Sequence, residues 1–188
     1  MSTQSNRIRT QLLVLRCQSG DENSFRELIQ LWEKPLLYYI RRIVLTQEDA
    51  WDVLQEVWIN VVSKVRQIRN PACASVWLYR IARNTAFNSW RQKMKTEPLD
   101  EKMENQLHDD SDPMDDLVSA EDAEAIHRAL GQVPLPQREA LTLFFLEDLS
   151  LQEISELTEV PVGTVKSRLH HGRNKMRELL REEDFGNV

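Results

Sequence analysis

The stretch SLQEISELTEVPVGTVKSRLHHGRNKMRELL, residues 150–180, decides the fold of the C-terminal part of the chain. Ser150 and Glu153 form the Ser-x-x-Glu pattern of a helix N-terminus, and Ile154 and Leu157 predict the buried face of the short helix that follows. The letters TEVP then break the pattern before a second helix begins. Two helices joined by a turn of about three residues are typical of a helix-turn-helix.

The second helix has one apolar face and a polar, basic outer surface. The apolar residues recur at steps of four and three: Val165, Leu169, Gly172, Met176 and Leu179. Segment 161–177 contains five Lys or Arg and no carboxylate, although the whole chain has a net charge of −6. Because cationic side chains attract phosphate groups, the sequence predicts that this helix binds DNA. The residues of its outer surface are Thr164, Lys166, Ser167, Arg168, His170, His171 and Arg173.

Three more helical segments are predicted upstream. The first carries Phe25, Leu28, Ile29, Trp32, Leu36, Ile40 and Ile43 at steps of three and four, and is either one amphipathic helix or two helices that meet near Pro35. Thr46 and Asp49 form the pattern of a capping box before a long helix, whose predicted apolar face includes Val62. Asn70 and Pro71 end that pattern, and a further helix runs from about residue 76 to residue 95. These segments predict a compact helical bundle.

The last helix of this bundle combines cations with aromatic rings. Arg80, Arg83, Asn84, Phe87 and Arg91 share one side, with Trp77, Tyr79 and Trp90 nearby. Single-stranded nucleic acid is bound by such a combination, because its backbone needs positive charge and its unpaired bases stack on flat rings. The alternative is that Trp77, and Trp90 with it, simply belong to the core.

The long helix before it carries an acidic stripe opposite its apolar face. The acidic stripe consists of Glu48, Asp52, Gln55 and Glu56. Ordinary solvation explains many such stripes. Trp51 also faces away from the apolar positions, and an exposed aromatic side chain favours a contact with a protein partner.

Charge separates the chain into two parts. Residues 98–127 contain eleven Asp or Glu and one Lys, whereas basic stretches lie on either side of this block. Its prolines and dense carboxylates predict an extended linker. The sequence therefore predicts an all-α protein with two small helical domains, residues 1–97 and 119–188, joined by an acidic flexible linker, residues 98–118.

Several classes of protein are disfavoured by the same sequence. No apolar run reaches the roughly 20 residues of a membrane span, and the first residues do not form a signal peptide, so we expect a cytoplasmic protein without membrane insertion. Cys17 and Cys73 lack a metal or redox spacing, and we expect no metal and no cofactor. No catalytic arrangement is evident, so an enzyme is not expected. A stand-alone helix-turn-helix transcription regulator remains the alternative to the function discussed next.

The quoted stretch resembles region 4 of an extracytoplasmic-function (ECF) sigma factor of bacterial RNA polymerase. LPQREALTLFFLEDLS (135–150) is similar to the helix that leads into that region. DAWDVLQEVW (49–58) and SVWLYRIARNTAFNSWRQ (75–92) resemble region 2 of the same family. The resemblance implies a protein that binds RNA polymerase core and promoter DNA and directs initiation at −35 and −10 elements. It also implies an anti-sigma factor as a partner.

The resemblance also implies roles for individual residues. Asp52, Gln55 and Glu56, and with them Glu48, match the part of the family that binds RNA polymerase core. Asn70, Ser75, Arg80, Arg83 and Asn84, together with Phe87 and Arg91 on the same face, match the part that opens the −10 element. The outer surface of the last helix, given above, matches the part that enters the −35 element. Glu159 departs from the family, because turns of this kind often have Gly at that position.

Overall fold

The computed structural model describes residues 3–44, 46–96 and 120–186. In these residues every regular element is helical, so the predicted all-α fold is confirmed. The chain divides into two compact units, residues 1–96 and 97–188, and each is described by itself. The predicted linker, residues 98–118, lies outside the described residues.

The first unit is a bundle of four helices: α1 (Thr3–Gln18), α2 (Glu22–Arg41), α3 (Gln47–Lys64) and α4 (Ala74–Thr96). Helix α1 packs against α2, and α3 packs against both α2 and α4. In the core, the Tyr79 ring meets the rings of Trp32 and Tyr39 edge to face, with 5.4 Å between centroids in each pair. Two short 3-10 turns, Val65–Gln67 and Pro71–Cys73, connect α3 to α4.

Helix α2 is continuous, so the segment around Pro35 is one helix and not two. The helix includes Pro35 in its interior, although proline has no N–H to donate and its ring crowds the preceding turn. Leu28 and Trp32 before the proline and Leu36 after it are all buried on one face. Their burial stabilises the helix across the proline, because apolar area removed from water lowers the free energy of the fold.

The N-terminus of α2 is capped by Asp21, and this cap predicts a dependence of stability on pH. Asp21 Oδ2 accepts a hydrogen bond from the Ser24 hydroxyl at 2.7 Å, and Oδ1 accepts from the backbone N–H of Asn23 and Ser24. The bonds from Ser24 lower the pKa of the Asp21 carboxyl. A carboxylate with a lowered folded pKa adds stability above its unfolded pKa, and this contribution disappears as the pH falls through the folded pKa.

We therefore expect Asp21→Asn, which keeps a cap acceptor without a titrating group, to lose less stability than the wild type between pH 5 and strong acid. Urea unfolding at a series of pH values below about 5 measures the difference. If the free energy of unfolding fell by the same amount with pH in both proteins, this role of Asp21 would be contradicted.

Helix α3 begins at the predicted residue, but half of its predicted capping box is wrong. Thr46 Oγ1 accepts a hydrogen bond from the Asp49 backbone N–H at 3.1 Å. The Asp49 carboxylate does not complete the box; it is buried and forms an ion pair with Lys93 of α4. The predicted apolar face is also too wide, because Val62 is 56 % exposed whereas Val61 is buried.

The second unit contains α5 (Ala120–Gln132), α6 (Leu135–Leu141), α7 (Leu151–Thr158) and α8 (Val162–Gly186). A π-helical turn, Thr142–Leu146, continues α6. Helix α8 packs against α5, α6 and α7. Helices α7 and α8 with the residues between them form the predicted helix-turn-helix. Ile154 of α7 and Val165 of α8 are fully buried, as is Leu143 of the π-helical turn.

The predicted capping box of α7 is confirmed. Ser150 Oγ accepts a hydrogen bond from the Glu153 backbone N–H at 3.2 Å, and Glu153 Oε2 accepts from the Ser150 backbone N–H at 2.8 Å. At the other end, Ser155 Oγ donates to the Val160 carbonyl at 2.6 Å. These local bonds fix both ends of a helix of only eight residues and so define where the turn begins.

The turn itself has a strained residue, Glu159, with φ of +58° in the left-handed region. A side chain there costs on the order of 1 kcal/mol, because Cβ crowds the backbone. We expect Glu159→Gly to raise the free energy of unfolding of the second unit by about 0.5–1 kcal/mol. Chemical denaturation measures this change, and Gln152→Gly, at an exposed position inside α7, is the control that we expect to be destabilising.

Gly172 of α8 lies close against α6. A Cβ built at this position would lie 2.9 Å from Leu141 Cδ1 and 3.3 Å from Gln137 Cβ. We expect Gly172→Ala to destabilise the second unit by about 1–3 kcal/mol despite the higher helix propensity of alanine. Gly163→Ala is the matched control in the same helix: nothing lies within 4 Å of its added Cβ, so we expect it to be neutral or stabilising. Equal effects of the two substitutions in urea unfolding would contradict this interpretation.

Candidate nucleic-acid and protein interfaces

The acidic stripe lies on the outer face of α3. All four side chains, Glu48, Asp52, Gln55 and Glu56, are exposed. The neighbouring carboxylate Asp49 is buried and pairs with Lys93, so it is not part of this surface. The stripe therefore presents acidic and amide oxygens on a helix whose opposite face is held in the core.

Apolar side chains extend this face, and only one of them, Trp51, is predicted from the sequence to face outward. Trp51 is 41 % exposed, as predicted for an aromatic residue that faces outward. Ile59 and Val62 are 69 % and 56 % exposed and continue the same side of the helix toward its C-terminus. Ile59 stands four residues after Gln55, and this spacing is the signal that could have identified it. The surface on α3 is therefore partly apolar.

The loop between α3 and α4 presents fewer side chains than predicted. Asn70 is exposed, but its amide bonds within the loop: Oδ1 accepts from the Ala72 N–H at 3.1 Å, and Nδ2 lies 3.3 Å from Cys73 Sγ. Ser75 is buried, with 8 % of its surface exposed, because it faces the bundle in the first turn of α4. We therefore remove Ser75 from the predicted contact surface and assign the Asn70 side chain to the shape of the loop.

Helix α4 brings the predicted cationic residues together on one side. Arg80, Asn84 and Arg91 are exposed, and Arg83 and Phe87 are half-buried. The Arg83 guanidinium lies 4.6 Å from the centre of the Phe87 ring, so one face of that ring is covered. A stacked base can therefore use only the opposite face of Phe87.

The aromatic residues near this surface divide between core and surface. Tyr79, predicted to lie near this surface, is buried against Trp32 and Tyr39 and belongs to the core. Trp77 and Trp90 are half-buried, and the Trp90 ring meets the Phe87 ring edge to face at 6.4 Å. Phe87 and Trp90 are thus two rings of α4 that lie beside the arginines.

The outer surface of α8 carries all seven predicted residues, but on two sides of the helix. Thr164, Ser167, Arg168 and His171 follow one side, and Lys166, His170 and Arg173 follow the other. Thr164 and Arg168 are half-buried, and the rest are exposed. The His170 ring lies 3.2 Å from Asn174 Nδ2 and edge to face with the His171 ring. The N-terminal turns carry residues of both sides, and a recognition helix contacts base edges in the major groove mainly through its N-terminal residues.

An apolar groove of about 460 Å³ lies along the side of α8 that carries Arg173. The groove is lined by Leu130, Leu141, Thr142, Phe145, Leu146, Arg173, Met176, Arg177, Leu180 and Arg181. Phe145, in the π-helical turn, is 55 % exposed and lines this groove. Side chains from three helices form the groove, so no single periodic pattern reveals it.

Two family models match the chain in the order that the sequence analysis predicts. Residues 28–96 match sigma-70 region 2, and residues 123–176 match sigma-70 region 4. The ECF RNA polymerase sigma-E factor of Escherichia coli is 32 % identical over 190 residues, which cover 94 % of this chain and 99 % of that protein. This chain belongs to the ECF sigma factors.

Other comparisons agree with this assignment. The ECF RNA polymerase sigma factor SigW of Bacillus subtilis is 29 % identical over 178 residues, or 90 % of this chain and 95 % of that protein. The sigma factor RpoE of Bartonella quintana, solved in complex with the anti-sigma factor NepR, has the same fold. Its TM-score is 0.69 at 21 % identity, over 84 % of this chain and 96 % of that chain.

As an ECF sigma factor, the chain directs promoter-specific initiation by RNA polymerase and reads the −35 and −10 elements. The alternative of a stand-alone regulator is wrong, because the chain matches both sigma regions. Sigma factors are non-catalytic initiation factors. No helix in the described ranges has the length and hydropathy of a membrane span. The same ranges contain no group of three His, Cys, Asp or Glu that could hold a metal ion.

Proposed function

We propose that three surfaces of this sigma factor have separate roles in initiation. The acidic stripe on α3, bordered by Trp51, binds RNA polymerase core. Helix α4 and the loop before it bind the −10 element and help to open it. The N-terminal turns of α8 read the −35 element. Phosphoryl transfer belongs to the polymerase, and the chain performs no catalysis of its own and acts in the cytoplasm.

The observation that carries this proposal is the exposure of opposite charges on neighbouring helices of one unit. Helix α3 presents exposed acidic side chains, and α4, which packs against it, presents Arg80 and Arg91 to solvent. An acidic surface suits a basic protein partner and repels DNA, whereas a cationic surface with adjacent rings suits unpaired DNA. The same unit can therefore bind protein and DNA at once.

In vitro transcription tests the proposed function. Core polymerase and this chain, both purified, are combined on a template whose transcripts have a mapped 5′ end. We expect initiation at one defined site with the chain and none with core alone. Templates with a scrambled −10 or −35 element are the controls. Equal amounts of transcript from intact and scrambled templates would contradict promoter reading by this chain.

We also propose that an anti-sigma factor regulates this chain. RpoE, which shares its fold, was solved in complex with an anti-sigma factor, and that relationship supports a similar partner here. Such a protein must form a stable complex with the purified chain and abolish transcription in the same assay. A protein that binds the chain and leaves transcription unchanged does not have this role.

A further inference from the structure

The side chain of Gln18, at the C-terminus of α1, is bound to the loop between α3 and α4. Gln18 Nε2 donates one hydrogen bond to the Val65 carbonyl at 3.0 Å and another to the Ile68 carbonyl at 2.8 Å. These carbonyls lie at the start and just beyond the end of the 3-10 turn Val65–Gln67. One amide group from a distant part of the sequence therefore holds both ends of this turn.

These bonds matter because the carbonyls at the end of a helix lack partners within that helix. The backbone of the turn gives the Val65 carbonyl one further donor, the Ile68 N–H at 3.3 Å. Gln18 is partly buried, so its two donors reach the carbonyls where water competes less for them. Gln18 thus sets the direction in which the chain leaves α3.

The rest of the loop is shaped by its own residues. Asn70 caps the turn Pro71–Cys73 through the Ala72 N–H, and Ala74 then enters the core at the start of α4. These contacts fix the second half of the loop relative to α4. The first half has no comparable cap of its own, since the turn Val65–Gln67 has no capping side chain at its N-terminus.

We propose that Gln18 is a positioning residue for promoter opening: it holds residues 65–68, the first part of the loop, in the position that lets the loop accept an unpaired base of the −10 element. The inference rests on the proposed role of this loop and of α4. It extends the functional machinery to α1, which precedes the segment that matches sigma-70 region 2 at residues 28–96. A loop held in its binding shape before DNA arrives loses less conformational entropy when it binds.

The test uses holoenzyme assembled from core and full-length chain. Its probe is a single-stranded oligonucleotide with the non-template −10 sequence of the promoter mapped by transcription, compared with copies that have one abasic position each. We expect wild-type holoenzyme to lose affinity at one abasic position. Gln18→Leu and Gln18→Glu remove the donors, and each is expected to bind the intact oligonucleotide about tenfold more weakly, the factor expected for losing one to two net hydrogen bonds.

Four comparisons make the expected result specific. Gln18→Leu and Gln18→Glu should match the wild type in affinity for the oligonucleotide whose abasic position weakens wild-type binding. Both should also bind core with wild-type affinity. Gln18→Lys, whose ammonium can donate to both carbonyls, should recover most of the lost affinity. Gln11→Leu is the matched control, because Gln11 lies on the same face of α1 about two turns earlier. It should behave as wild type.

Different failures have different meanings. If Gln18→Leu and Gln18→Glu still distinguish intact from abasic DNA as wild type does, Gln18 does not position the loop. If the two variants bind the intact and the abasic oligonucleotide more weakly by the same factor and have a lower unfolding temperature, the role of Gln18 is structural only. The proposal is then also overturned. If wild-type holoenzyme binds every oligonucleotide alike, the assignment of the −10 element to this loop fails first.

Discussion

Asp52→Arg is expected to weaken binding of the chain to RNA polymerase core by about 100-fold, because it reverses the charge in the middle of the acidic stripe. Asp52 is exposed on α3, one helical turn from both Glu48 and Glu56. The new arginine would therefore pair with these two carboxylates, and it would repel a basic surface that complements the acidic stripe. Fluorescence anisotropy of labelled chain titrated with core measures the affinity. Transcription should fall in parallel at limiting chain concentrations.

Two control variants show whether the effect belongs to the stripe. Asp52→Asn removes the charge without reversing it and should have a smaller effect than Asp52→Arg. Glu33→Arg makes the same reversal on the exposed surface of α2 and should leave core binding unchanged. Since neither substituted side chain is buried, the unfolding temperature of all three variants should stay near that of the wild type. Equal losses for Glu33→Arg and Asp52→Arg would mean that core senses only the total charge of the unit.

The double variant Lys166→Glu with Arg168→Glu is expected to abolish specific reading of the −35 element. These residues lie on opposite sides of α8 within its first two turns, so together they sample both sides of the surface proposed to contact DNA. Each substitution removes a phosphate partner and adds repulsion. Holoenzyme affinity for a duplex with the −35 element should fall at least about 100-fold, and the slope of log affinity against log salt should decrease by about 2.

A promoter with a scrambled −35 element is the control for this variant. On that template the double variant should still bind more weakly than the wild type, because phosphate contacts do not depend on sequence; the specific effect is the loss of the wild-type preference for intact over scrambled DNA. Core binding should be unchanged, since α3 is untouched. If the double variant retained the wild-type preference for the intact −35 element, the outer surface of α8 would not be the reading surface.

Local features of this fold could be predicted from sequence, because their partners are a few residues away. The capping box of Ser150 and Glu153 and the buried pair Ile154 and Leu157 were predicted correctly, and each depends on contacts within one helix. The acidic stripe could be recognised for the same reason. A periodic pattern identifies which residues share a helix face, and the structure confirms that the stripe faces solvent.

Features that depend on distant contacts could not be predicted. Asp49 fits a capping box by its spacing, but its carboxylate turns to Lys93, which is 44 positions further along the chain. Burial of Ser75 and exposure of Val62 depend on how closely neighbouring helices approach, which the period of the pattern does not encode. The bonds of Gln18 and the groove along α8 likewise join separate elements.

The ion pair between Asp49 and Lys93 has a mechanical consequence for a protein with these two surfaces. It connects the first turn of α3 to the last part of α4, and it is backed by the buried side chains between the helices. Rotation of one helix against the other would strand a carboxylate that is almost wholly removed from solvent. We therefore expect α3 and α4 to resist rotation against each other, so that the acidic stripe on α3 and the exposed Arg80 and Arg91 of α4 keep a fixed spacing.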